Sequence, residues 1–342
     1  MKKILLPKKD GTHNYYRANL HCHTTLSDGK KTPQQIKDMY KLRGYSVIAF
    51  TDHDVFITHN DLTDSEFVAL GGVELEVNEE NSKRTCHMCF IAKDPDNHTS
   101  FCYHRSKYLW GNAEKNRGLL FTDESEPDYE RTYNAACIND MMRIGHEKGF
   151  FVTYNHPTWS LESYPHYMSY NGMDAMEISN YGSVVEGVDE FNGRCYDDML
   201  RGGMRLYCIA ADDNHNYCEP DSPDCDSFGG YTMIFAERLD YKNIIESLES
   251  GMFYCACGTT QCDAPEIKYL EYDDGRIYIE TSPSEKINFI TDIAAYSKRG
   301  HGVTEAQFSL DDRAKGAKWF RLEITDECGN RAFTNAYFSD MV

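Results

Sequence analysis

Residues Asn19–Gly29 read "NLHCHTTLSDG". His21 and His23 stand two apart at the end of a short predicted strand, and Asp28 follows five residues later. Strand residues i and i+2 face the same way, so both imidazoles point to one side while Cys22 turns into the protein. Taken alone, the stretch is open to three readings: an accident of the surface, a general acid–base set, or part of a metal site. The ends of the other strands decide among them.

Downstream, "GKKTPQQIKDMYKLRGY" (29–45) predicts a helix. Thr32 is its N-cap, Pro33 its first residue, Gln35 completes a capping box, and Gly44 ends it. Ile36, Met39 and Tyr40 share one face. "YSVIAFTD" (45–52) is a continuous apolar run, as in a strand buried on both faces. Further strands are predicted in "FVALGGVELEVN" (67–78), "CHMCFIAK" (86–93), "FFVTYNHP" (150–157), "GMDAMEISN" (172–180), "RLYCIAADDNH" (205–215) and "YTMIFAE" (231–237). Helices are predicted in "YNAACINDMMRIGHEKG" (133–149), "GVDEFNGRCYDDMLRGG" (187–203) and "DYKNIIESLESG" (240–251). This alternation, up to Gly258, indicates an α/β domain of parallel strands with crossover helices, closed as a barrel or left open. Residues 259–342 carry only strand-like pieces and turns, which predicts a small β-sandwich-like C-terminal domain.

A parallel α/β domain builds its site at the carboxyl ends of its strands. Those ends are rich in polar groups. "TDHD" supplies Asp52, His53 and Asp54; "GVELEV" supplies Glu74; "TYNHP" supplies Asn155 and His156; "MEISN" supplies Glu177 and Asn180. "AADDNH" supplies Asp212, Asp213 and His215, and His87 opens another strand. One strand-end histidine is more often a hydrogen-bonded core or surface group than a ligand, and an acidic residue there is often a helix cap. With only 13 histidines in 342 residues, such ordinary explanations would have to hold at six or seven strand ends together. Mixed histidine and carboxylate donors without a cysteine pair suit Zn²⁺, Mn²⁺ or Fe²⁺ in an open site. So many donors exceed one ion's need and point to a cluster of two or three.

Composition narrows the function. Against 35 basic residues stand 55 acidic ones, a net charge of −20, which argues against long nucleic acid and anionic membranes as partners. No run of about 18 apolar residues is present. Ile4–Leu6 is too short for a signal sequence, and Pro7 ends it. Thirteen cysteines without disulfide-framework spacing fit a reduced, cytoplasmic protein whose thiols are buried, Cys255 and Cys257 on a strand among them.

The ordered set "HCH" with Asp28, "TDHD", "GVE", His87, "NHP" and "DDNH" resembles the PHP (polymerase and histidinol phosphatase) family over residues 15–258. "ESGMFYCACG" and "ITDECGNRAFTNAYF" resemble family members that append a β domain. The resemblance implies a distorted (β/α)7 TIM-like barrel over 1–258, followed by the β domain at 259–342. It implies three divalent ions: the first on His21, His23, Glu74 and Asp213, the second on Glu74, His87 and His156, the third on Asp28, His53 and His215. It also implies hydrolysis of a small phosphorylated metabolite or nucleotide by a metal-bridging hydroxide held by Glu74, His156 and Asp213. Arg105, His104 and Asn155 are candidate substrate contacts. Two other readings share this sequence: a carboxyl-ester or amide hydrolase using the same site, and a non-catalytic metal-stabilised module.

Overall fold

The computed structural model describes residues 2–9, 14–259, 262–311 and 313–341. The chain opens with β1 (Lys2–Leu6), β2 (Asn14–Asn19), α1 (Pro33–Lys41), β3 (Tyr45–Phe50), β4 (Val68–Asn78) and β5 (Thr85–Ala92). Then come β6 (Thr99–Ser100), α2 (Gly111–Lys115), β7 (Phe121–Thr122), α3 (Ala135–Glu147), β8 (Phe150–Asn155) and α4 (Tyr164–Tyr167). Next are β9 (Ala175–Asn180), α5 (Tyr181–Val185), α6 (Gly193–Arg201), β10 (Tyr207–Ala211), β11 (Gly230–Ala236), α7 (Tyr241–Ser250) and β12 (Phe253–Cys257). The last strands are β13 (Ile267–Asp273), β14 (Arg276–Thr291), β15 (Ala295–Ser309), β16 (Trp319–Thr325), β17 (Arg331–Thr334) and β18 (Tyr337–Phe338). The fold is mixed α/β, mostly sheet. Among the described residues no helix is long and apolar enough to cross a membrane.

Local signals translate directly into elements. Thr32 accepts from the Gln35 backbone while the Gln35 side chain reaches back to the Thr32 N–H, the reciprocal bonding that starts α1. Asn134 and Asp240 cap α3 and α7 through their side chains. Gly251 ends α7 at φ +71°, where a side chain would be strained and a Cβ would press on the Tyr207 ring.

The sheet departs from the expected closed barrel. Its order is β1-β13-β14-β16-β17-β12-β11-β2-β3-β4-β5-β8-β9-β10, an open path. β2 spends on antiparallel β11 the edge that β10 would need. The end of β10 reaches the end of β2 without a strand ladder, through an isolated Cys22–Asn214 bridge, the bonds His23 N–H to Asn214 O and Asp213 N–H to His21 O, and the Asn19 side chain, which accepts from Asp212 N–H and donates to Asn214 Oδ1. Nor are all the strands parallel. β2-β3-β4 and β8-β9-β10 are, but β5 runs antiparallel to both β4 and β8. The link from Asn78 to Thr85 is a hairpin, too short for the crossover that a parallel neighbour requires. β5 therefore presents its amino end where the parallel strands present their carboxyl ends.

The C-terminal strands are antiparallel and continue the same sheet, because β17 pairs with β12. β1 joins them, Lys2 opposite Asp273. α6 is tied to β16 by the Arg321–Asp197 ion pair at 2.7 Å, with the Arg321 side chain only 2% exposed. Arg321→Ala strands Asp197 beside a cavity. It should cost about 3–5 kcal/mol, read as a lowered urea midpoint.

Candidate metal centre

One rim of the sheet gathers all nine expected donors. His21 and His23 follow β2, His53 follows β3, Glu74 lies on β4 beyond the end of β3, and His87 begins β5. His156 follows β8, while Asp213 and His215 follow β10. Asp28 is carried by a loop folded back on His23. There a Cβ on Gly29 would fall 2.6 Å from the His23 carbonyl, so only glycine fits. Asp52 holds this loop by accepting from Thr24 N–H (2.8 Å), Thr24 Oγ1 (2.8 Å), Ser27 N–H (3.1 Å) and Ser27 Oγ (2.7 Å).

The donor atoms lie in overlapping groups. His21 Nε2, His23 Nε2, Glu74 Oε2 and Asp213 Oδ1 make the first, with separations of 3.0–3.2 Å. Glu74 Oε1 makes the second, 3.0 Å from His87 Nδ1 and 3.3 Å from His156 Nε2. Asp28 Oδ2 centres the third, 3.2 Å from His215 Nε2 and 4.0 Å from His53 Nε2. Glu74 thus divides its oxygens between two groups. Four ligands about 2.0–2.1 Å from a shared centre lie about 3.3 Å apart, close to the spacing of the first group. Asp213 Oδ1, His23 Nδ1 and His53 Nδ1 are buried without a hydrogen-bond partner. Orphaned donors facing one another across such distances fit divalent cations.

A supporting layer aims these atoms. His21 Nδ1 donates to Glu177 at 2.8 Å, which leaves Nε2 free to face Glu74 and Asp213. Glu177 also accepts from His156 N–H and Asn180 Nδ2. Arg131, stacked on Tyr108, pairs with buried Asp54 beside His53. Asp54 (φ +56°), His156 (φ +26°) and Asp213 (φ +53°) hold left-handed backbone. Gly182 packs on the turn at Asp213, where a Cβ would meet the Asp212 carbonyl at 2.8 Å.

The electrostatics are reciprocal. Burial raises Glu74 and Asp213, but the imidazoles outweigh it, His21 foremost in both cases, and both carboxyls sit below their usual range. Burial lowers His21 and His23, yet the carboxylates, Asp213 foremost, carry both well above the ordinary histidine value. For His53 burial prevails and its pKa falls.

A cavity of about 530 Å³ opens on the groups. Its walls include Glu76, Lys83, Trp110, Trp159, Glu186 and Tyr217. The proposed substrate contacts lie elsewhere. Arg105 pairs with Asp128 at 2.7 Å and lines a different hollow, while His104 is buried against Glu130 at 3.2 Å. Asn155 is fully buried and donates to Cys89 Sγ and, at 3.4 Å, to Glu74 Oε1; it steadies Glu74 instead of facing the cavity. Glu76, 3.4 Å from His87 Nε2, escaped the sequence reading although it lies two residues from Glu74 on the same strand face. Trp159 follows His156 in the same turn; Trp110 and Lys83 carry no sequence signal.

Two outcomes follow. Glu177→Ala should weaken zinc binding about 10–100-fold while the far-UV spectrum is retained, read by titration against a chelator. In the metal-free protein His156, buried but paired with Glu74, is raised from 6.5 to about 9. That pairing stabilises fully below pH 6.5 and is lost as pH rises through about 9. An incoming cation displaces the proton, so zinc affinity should strengthen between pH 6.5 and about 9, with proton release measured by calorimetry in buffers of different ionisation enthalpy.

No protein-family model matches the chain, and no curated protein matches it. Solved structures do. A two-domain protein from Bacteroides vulgatus, described as containing a predicted PHP-like metal-dependent phosphoesterase, is 15% identical with a TM-score of 0.45, over 97% of this chain and 98% of that one. A candidate metal-dependent phosphoesterase from Bifidobacterium adolescentis is 16% identical (TM-score 0.39; 60% of this chain, 90% of that one). An amidohydrolase from Chromobacterium violaceum, with bound sulfate and no metal, is 17% identical (TM-score 0.38; 61% and 93%). Two of these three structures are thus described as predicted or candidate metal-dependent phosphoesterases, one of them PHP-like, and the third as an amidohydrolase.

Proposed function

We propose that the protein is a metal-dependent phosphoesterase acting on a small phosphorylated metabolite or nucleotide. The division of Glu74 between two donor groups carries the reading, since a shared carboxylate is what a multinuclear hydrolytic site needs. In this reading His21, His23, Glu74 and Asp213 hold one ion, Glu74, His87 and His156 a second, and Asp28, His53 and His215 a third, each zinc, manganese or iron. Ions held there supply a nucleophile at neutral pH and neutralise phosphoryl oxygens.

The chain's own groups do the positioning. Glu177 fixes the His21 tautomer, Ser160 Oγ sits 3.1 Å from His156 Nδ1, and Asp52 holds the loop carrying Asp28. Lys83 is the single lysine or arginine among the lining residues, whereas Glu76, Glu186, Asp224 and Asp226 add four acidic residues to the walls. Such walls disfavour a long polyanion and suit a substrate whose one phosphoryl group is neutralised at the ions. The same reading takes the seven strands from β2 to β10 as a distorted barrel, with the Cys22–Asn214 bridge where its last ladder would close. Residues 1–258 then form that domain and 259–342 an appended β domain.

The test uses protein purified without chelator and supplied with Mn²⁺ or Zn²⁺. p-Nitrophenyl phosphate or its bis-ester should turn over, and His21→Ala or Asp213→Ala should leave no turnover with the fold intact by circular dichroism. Turnover of p-nitrophenyl acetate alone would move the protein to carboxyl-ester chemistry. Less than one metal per chain, not restored by added ion, would speak for a non-catalytic module.

A further inference from the structure

Away from the histidine cluster, Cys262 and Cys328 approach to 3.5 Å between sulfurs although 66 residues separate them. Most of the chain's cysteines are buried. Cys328 is exposed and Cys262 half-buried, and both border a hollow of about 310 Å³. The backbone of each is hydrogen-bonded. Cys262 exchanges backbone bonds with Thr259, and its N–H also reaches Thr259 Oγ1. The turn after β16 is built on Asp326, whose carboxylate accepts from Cys328 N–H (2.9 Å) and Asn330 N–H (2.8 Å). Asn330 Nδ2 then crosses to the carbonyls of Cys262 (3.5 Å) and Asp263 (3.4 Å), holding the two segments together.

We propose that Cys262 and Cys328 are a disulfide-forming pair that, on meeting a low-molecular-weight disulfide, covalently pins the turn after β16 to the segment after β12. The exposed Cys328 thiolate attacks one sulfur of the reagent and expels its other half as a thiolate. Cys262 then attacks the mixed disulfide and expels the second half. Two protein thiols lose two hydrogens, and one reagent disulfide is reduced to two thiols. Bond formation needs the sulfurs to close from 3.5 Å to about 2.05 Å. The segment held is a strut of the fold: Asp263 pairs with Arg17 of β2 at 3.1 Å, and Arg17 lies over the Tyr231 ring. A pair of thiolates could instead bind a soft metal ion. Against that, His301, the imidazole on the same hollow, already spends Nδ1 on Glu285 at 2.6 Å.

The experiment treats the full-length protein with 2-hydroxyethyl disulfide, chosen uncharged because Asp263, Asp326 and Glu327 line the hollow. Remaining thiols are alkylated and unreduced tryptic peptides weighed. The expected product is one Cys262–Cys328 linked peptide, two hydrogens lighter than its parts, absent from Cys328→Ser. The melting temperature of the oxidised wild type should rise by several degrees, with no rise in Cys328→Ser. Four results would overturn the proposal: both cysteines alkylated after treatment, a link between two chains, a linked peptide with unchanged melting temperature, or one zinc fewer per chain in Cys328→Ser than in wild type.

Discussion

A carboxylate that is 1% exposed, in the middle of a strand, is costly unless its charge is answered. Glu74 is answered by five imidazoles: His21, His23 and His53 around Oε2, His87 and His156 around Oε1. These reach it from the ends of four strands, so the arrangement of the rim and the ionisation of Glu74 are one constraint. The hairpin between β4 and β5 serves it directly. By turning back, β5 places His87 beside the strand that carries Glu74, which a parallel successor would have set at the opposite end of the sheet.

The rim also stores strain. Three non-glycine residues at strand ends, Asp54, His156 and Asp213, hold positive φ. Such backbone persists only where neighbours over-determine it. Here they do: Asp54 is clamped by Arg131, His156 N–H is held by Glu177, and Asp213 N–H is held by the His21 carbonyl. In each case the left-handed residue is, or adjoins, a donor of the cluster, so the strain is spent on aiming side chains that an ordinary strand would point elsewhere.

Much of this was legible in the chain. A capping box and a glycine stop announced α1 because those signals are local. The donors announced themselves because strand alternation puts i and i+2 on one face. Strand direction was not legible: a buried apolar run looks alike in parallel and antiparallel neighbours, and the short 79–84 link was the one clue that β5 turns back. Nor was the insertion of β11 beside β2, a pairing set by contacts more than 200 residues apart in sequence, Thr232 opposite Ala18. Arg105 drew attention as a loop cation, but its charge is met by Asp128 and by backbone carbonyls of the same loop region.

The pairing of β1 with β13 bears on how the molecule is made. The hydrogen-bonding partner, Ile267–Asp273, is synthesised some 265 residues after Lys2–Leu6. Until then the earlier strand has an unpaired edge. Three of its five residues are lysine or exposed even in the finished protein, and Lys2 and Lys3 put charge where an apolar strand would invite another chain. The charged strand thus waits, and the sheet is sealed there only when the later strand arrives.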